Sequence, residues 1–171
     1  MENKPEYIFV HCTDSLWGSA SAVTAWHSDP KPKGRGWPHV GYHYLILNGR
    51  MSPPIPDGAP SANYIDVMDG HIQQLLAERA PGIHAPPYNQ RSIAVCLVGK
   101  TKFTDRQRAA LLGLVAGLRK RYNIPVANVL GHCESSTEKA KGAGAKTCPN
   151  LDMPAFREEL ERVMSEMKLD W

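Results

Sequence analysis

Three residues far apart in the chain share a position. His11 follows the apolar run "YIFV", His132 follows "VANVL", and Cys148 stands just before Pro149. Each lies at or just beyond the end of an expected strand or ordered segment. Two imidazoles and one thiolate form a borderline-soft donor set that suits zinc, and three protein donors leave a fourth tetrahedral position for water. An open site of this kind brings the pKa of its water to about 7. The stretch "LGHCESSTEKAKGAGAKTCPNLDM", Leu130 to Met153, carries two of the three, with Lys146 two residues ahead of Cys148. Connecting segments tolerate change, so a histidine and a cysteine bracketing one point to chemistry. Spacing leaves alternatives open. His27, His39, His43, His71 and His84 are rival donors, and no C-x-x-C pair is present. Cys148 also reads as an inert thiol, or as a nucleophile paired with His132 and activated by Lys146.

These residues need elements to hold them. "EYIFVHC" is rich in aromatic and β-branched residues and is bounded by Pro5 and by Thr13-Asp14-Ser15, which predicts a buried strand. "SASAVTAWHSDP" sets Val23, Trp26 and His27 at helical spacing and closes before Pro30. "YHYLILNGR" predicts a second strand ending in the turn signal Asn48-Gly49. "MSPPIPDGAPSAN" is an irregular excursion dense in proline and glycine. "YIDVMDG" and "HIQQLLAER" predict short strands, with helix competing for the second. "SIAVCLVG" is a central strand. "TDRQRAALLGLVAGLRKRY" is a helix opened by a Thr104/Gln107 capping box, with Leu111, Val115, Leu118 and Tyr122 on one face. "VANVLGH" predicts a last strand. "DMPAFREELERVMSEMK" predicts a terminal helix with Phe156, Leu160, Val163 and Met167 inward and a Glu158/Arg162 pair outward.

Strands alternating with helices, mixed with hairpin signals, predict an α/β fold: a single mixed central β-sheet flanked by helices, in one domain over residues 1–171. The chain is 42% hydrophobic and 22% charged, an ordinary globular composition. Twenty basic and 17 acidic residues give a net charge of +3, too slight to argue for nucleic acid. The N-terminal residues show no secretory pattern, and no apolar run is long enough to span a membrane. Cys12 and Cys96 sit inside apolar runs, where thiols behave as small core residues, and a reducing cytosol argues against disulfides among the four cysteines.

The blocks "IFVHCTDS", "GYHYLILNG", "IHAPPYNQRSIAVCLVG", "LGHCES" and "AKTCPNLDM" occur in order across residues 8 to 153. Together they resemble the zinc-dependent N-acetylmuramoyl-L-alanine amidases, the type-2 group of phage lysozymes and peptidoglycan recognition proteins. In size and block order the single-domain phage endolysins match best. The resemblance implies that His11, His132 and Cys148 hold one catalytic Zn2+, that Tyr42 and Lys146 are catalytic, and that His84, Tyr88 and Asn89 line the substrate groove. It implies hydrolysis of the amide between N-acetylmuramic acid and L-alanine, with zinc-bound water as nucleophile. Bacterial peptidoglycan is the implied partner, with no nucleic acid and no membrane insertion. A non-hydrolytic wall-recognition module is the alternative, which retention of Cys148 argues against. The resemblance further admits a regulatory contact with phage RNA polymerase. A compact monomer is the default, and the resemblance implies synthesis in the host cytoplasm and action on the wall after release. Two departures touch the groove: the span from His132 to Cys148 and the stretch from Met51 to about Asp69 are both expanded.

Overall fold

A run such as Tyr7–Cys12 has no polar face to offer water, so it folds only where both of its faces are covered. In the computed structural model, which describes residues 2–54, 63–135 and 147–169, that run is strand β1, and Ile8, Phe9 and Val10 are wholly buried. The other strands are β2 (Tyr44–Arg50), β3 (Tyr64–Gln74), β4 (Ser92–Leu97) and β5 (Val129–Gly131). They form one five-stranded sheet in the order β3-β2-β4-β1-β5. β1 runs parallel to both β4 and β5, β2 runs parallel to β4, and β3 is antiparallel to β2. The expected mixed sheet flanked by helices is therefore what the chain builds.

Alternation along the strands divides the core between two faces. Ile8, Val10, Tyr44, Ile46, Ile93 and Val95 meet Leu111, Val115 and Leu118 of α2 (Asp105–Tyr122) and Leu160 of α3 (Met153–Leu169). On the opposite face Leu45, Leu47, Cys96 and Val98 pack with Val23 of α1 (Ala20–Ser28). His11 projects, with Phe9, toward this second face. Two long helices seal one side of the sheet, which leaves the other for chemistry.

Local signals account for the helix boundaries. Thr104 accepts the Gln107 N–H at 3.0 Å and Gln107 accepts the Thr104 N–H at 3.2 Å, the expected capping box. Gln107 is fully buried and its Nε2 also donates to the Ile46 and Val98 carbonyls, fastening α2 to the sheet. Asp152 caps α3 through the Ala155 N–H.

Three expectations are corrected. Asn48-Gly49 does not turn the chain: both residues lie inside β2, at register shifts against β3. Asn48 Oδ1 accepts the Arg50 N–H at 3.0 Å and Gly49 takes φ +79°, so the signal marks a bulge that only glycine adopts without strain. The segments "YIDVMDG" and "HIQQ" are one eleven-residue edge strand, and the strand stops at Gln74. On α3, Arg162 pairs with Glu166 at 3.1 Å rather than with Glu158. Glu158 and Glu166 are both four residues from Arg162, and the structure places the arginine toward the helix C-terminus. Leu160 is fully buried as expected, Phe156 and Val163 are half-buried, and the Met167 side chain lies outside the described residues.

Candidate metal centre and groove

Parallel pairing brings the two histidines together. Val10 of β1 is in register with Gly131 of β5, so His11 and His132 are the next residues of neighbouring strands at their carboxyl ends. Ligand sites of open α/β sheets form at such ends. The His11 and His132 rings lie 4.5 Å apart. β5 stops there because His132–Glu134 winds into a 3-10 turn. Glu134 accepts the Gly131 N–H at 2.7 Å and receives a two-pronged guanidinium contact from Arg157 of α3 at 2.9 and 3.0 Å. Burial works to raise the Glu134 carboxyl, but Arg157 and the Gly131 N–H outweigh it and hold the carboxyl below the usual range. Arg157 also donates to the Val129 carbonyl at 2.9 Å. The turn that carries His132 is thereby tied to both β5 and α3.

Cys148 returns to the same place. The Cys133 N–H donates to the Cys148 carbonyl at 2.8 Å, which closes the long connection between them. The Cys148 sulfur accepts the Cys12 N–H at 3.3 Å and stands 4.0 Å from His11 Nδ1. The adjoining Cys12 thiol and burial raise the Cys148 pKa, so metal binding there releases a proton. One donor atom from each of His11, His132 and Cys148 fits within a mutual spread of 4.8 Å. Tetrahedral zinc with bonds of 2.0–2.3 Å sets its donors about 3.3–3.8 Å apart, so the three need only a small contraction to share one ion. The donor types fit zinc, and they leave one corner for a ligand.

Among the described residues, none of the rival histidines joins the cluster. His43 accepts the Ala94 N–H through Nδ1 at 3.0 Å and contacts the Ala80 carbonyl through Nε2 at 2.9 Å. His27 accepts the Gly41 N–H at 3.1 Å, and burial followed by the charge of Arg35 lowers its pKa to about 4. His39 bonds the Val40 carbonyl at 2.7 Å, and His71 lies exposed on the edge strand β3. His84 is not a member of the cluster but touches it: its Nδ1 lies 3.1 Å from His11 Nε2. Burial, then His43 and His132, lower the His84 pKa to about 3, so the ring is neutral.

The Tyr42 ring stands 5.0 Å from His11 and 4.9 Å from His27. It shares an open cavity of about 440 Å³ with Thr13, Trp26, His27, Lys33 and Arg35, between α1 and the loop that follows it. Burial, then the neighbouring Cys96 and Cys148 thiols, raise the Tyr42 pKa well above its ordinary value, so its hydroxyl keeps its proton. Trp37 stacks 4.7 Å from His27 and lies under Arg35, which makes it a cover over this wall. Asn89 Oδ1 accepts the N–H groups of both His84 and Ala85 at 2.9 Å, so it shapes its own turn. Tyr88 packs edge-on to Tyr7 at 5.0 Å and lies 5.1 Å from Phe9. Lys146 lies outside the described residues. Sequence reasoning missed Glu134, Arg157 and Ser92. Only Glu134 carried a local signal, as the third residue of its own short turn.

A family model described as N-acetylmuramoyl-L-alanine amidase matches residues 1–151. The chain belongs to that family. The endolysin of Enterobacteria phage T3 is 30% identical over 94% of this chain and 91% of its own length. The endolysin of Escherichia phage T7 is 29% identical over 93% and 89%. Among solved structures, the amidase LysC from Clostridium intestinale URNW superposes with a TM-score of 0.68 at 22% identity, covering 93% of this chain and 87% of that one. The Ph2119 endolysin of a Thermus scotoductus bacteriophage gives 0.65 at 25% identity, covering 92% and 85%. A family amidase therefore carries the His11/His132/Cys148 cluster at the carboxyl edge of its sheet.

Proposed function

We propose that this amidase is a phage or prophage endolysin that hydrolyses the amide joining N-acetylmuramic acid to L-alanine in peptidoglycan, using zinc held by His11, His132 and Cys148. The observation that carries the reading is the convergence of those three donors within 4.8 Å, with the Tyr42 ring packed 5.0 Å from His11. Zinc bound there would supply a Lewis acid for the scissile carbonyl and lower the pKa of its water toward 7. The remaining work falls to the chain. Negative charge grows on the carbonyl oxygen as the amide carbon becomes tetrahedral, and a fixed donor aimed at that oxygen lowers the barrier. Tyr42 is assigned this role because its ring packs 5.0 Å from His11 and, in the metal-free chain, burial raises its pKa. The same property argues against Tyr42 as a general base.

Lys146 is assigned the second donor. It stands two residues before Cys148 in the sequence. The cavity beside Tyr42 is proposed to receive the stem peptide, with Lys33 and Arg35 on its wall. The turn 84–89 forms the opposing wall in this proposal, through the half-buried Tyr88 and Asn89. Among the described residues no helix is long and apolar enough to cross a membrane, which is compatible with reaching the wall by release.

The test is metal analysis of the purified chain beside digestion of defined peptidoglycan, with products identified by mass spectrometry. Zinc near one equivalent, free stem peptides beginning with L-alanine, abolition by a chelator and restoration by zinc are expected. The Cys148→Ser protein should lose both metal and lysis. Wall binding without released stems would replace the enzyme with a recognition module.

A further inference from the structure

A neutral imidazole has one N–H and one lone pair, and a histidine can serve a metal through Nδ1 only if the proton sits on Nε2. What places it can be followed atom by atom. The Ser92 hydroxyl donates to the Tyr88 carbonyl at 2.7 Å. A carbonyl only accepts, so the single hydroxyl hydrogen is committed there. Ser92 Oγ also lies 3.2 Å from His84 Nε2, and with its hydrogen in use it can only accept at that contact. His84 therefore carries its proton on Nε2 and presents a lone pair at Nδ1. That lone pair lies 3.1 Å from His11 Nε2, which must be the donor. His11 is left with its lone pair on Nδ1, the atom 4.0 Å from the Cys148 sulfur.

We propose that His84 and Ser92 are positioning residues that write the tautomer of His11, so that a backbone carbonyl at Tyr88 decides, through two side chains, which atom His11 offers to the metal. The proposal rests on the zinc reading above. It assigns His84 a place behind the ligand, where the family resemblance had suggested a groove contact. The packing around the ring supports this task. His84 is 7% exposed and Ser92 fully buried, so water does not compete for the chain. The rings of His11 and His84 meet edge to face at 89°, with centroids 5.1 Å apart. Asn89 Oδ1 accepts the His84 backbone N–H at 2.9 Å. Gly82 leaves the space in which the ring sits: a Cβ there would come within 2.5 Å of His84 Cδ2. Outer partners of ligating histidines commonly change metal affinity by about 10–100-fold when removed. Here the outer partner is a second histidine whose own proton must be fixed, so the chain is one link longer.

The experiment uses the full chain labelled with 15N and read twice. Long-range 1H–15N spectra of the metal-free protein report each imidazole tautomer, and competition with a chromophoric chelator reports zinc affinity. Wild type should show Nε2–H at both His11 and His84. Ser92→Ala should mix the tautomers and weaken zinc by about 10–100-fold, whereas Ser92→Thr, which keeps the hydroxyl, should retain both properties. Gly82→Ala, which displaces the ring, should act like Ser92→Ala. An Nδ1–H tautomer at His11 in wild type overturns the proposal, as does a folded Ser92→Ala protein with wild-type spectra and affinity. Should Ser92→Ala fail to fold, the wild-type spectrum alone decides. A wild-type chain with the expected tautomers that takes up no zinc refutes the metal reading instead, so the two failures are distinguishable.

Discussion

Glu78 offers a stability prediction that is independent of the metal. Its carboxylate is nearly enclosed and receives hydrogen bonds from the hydroxyls of Tyr44 on β2 and Tyr122 on α2, and from the Arg121 guanidinium. Burial alone would raise its pKa, but the two tyrosines and the arginine together hold it below the usual carboxylate range. The effect is mutual: burial, then the bond to and the charge of Glu78, push the Tyr44 hydroxyl up to about 12. Glu78→Gln keeps the shape and one acceptor oxygen but removes the charge that three donors share. A loss of about 2–3 kcal/mol at pH 7 follows, the usual worth of a hydrogen-bonded charged group. For a chain of this length that is roughly a 4–12 °C fall in Tm. The sign of the pH dependence follows from linkage. A carboxylate with a depressed folded pKa contributes fully above its unfolded value, near 4.3, and the contribution is lost as pH falls through the folded value. Tyr44, raised in the folded chain, contributes below pH 10 and loses that contribution as pH rises toward about 12. Thermal unfolding of wild type and Glu78→Gln by circular dichroism from pH 2 to 9 should therefore show a gap that is full at neutrality and closes in acid. A gap that persists unchanged at pH 2, or one below about 1 °C at pH 7, would refute the reasoning.

On the proposed role of Tyr42 as an oxyanion donor, Tyr42→Phe should lower the rate of wall hydrolysis by about 10²–10³-fold, as loss of a single such donor does, while zinc affinity measured by chelator competition stays at the wild-type value. Gln107→Leu withdraws the Nε2 donor from the Val98 and Ile46 carbonyls inside the core, and urea unfolding should record a loss of about 1–3 kcal/mol.

Elements governed by local physics were legible from the chain alone. The capping box at Thr104 and Gln107 and the apolar stripe of Leu111, Val115 and Leu118 act within one helix, so their pattern and their outcome coincide. The run Tyr7–Cys12 was readable as a buried strand because its apolar residues have no alternative to burial. Asn48-Gly49 misled because the same conformational freedom serves a turn or a bulge, and the distance to the partner strand decides between them. The side chains of the candidate metal centre divide in the same way. Residue type determined that His11, His132 and Cys148 suit zinc. Only the parallel register of β1 and β5, pairing Val10 with Gly131, brought the two histidines together, and only the Cys133 and Cys12 backbone N–H groups brought Cys148 back to them.

The task of each remaining histidine was likewise a tertiary decision. Sequence shows seven identical imidazoles with identical intrinsic chemistry. The fold gives His43 a backbone donor and a backbone acceptor and gives His27 the Gly41 N–H. It sets His84 between His11 and Ser92. Residue type at three positions and the family resemblance of the ordered blocks thus pointed to the kind of chemistry this protein carries. Which nitrogen bears a proton depends on a partner a few ångströms away, and the folded backbone alone supplies that partner.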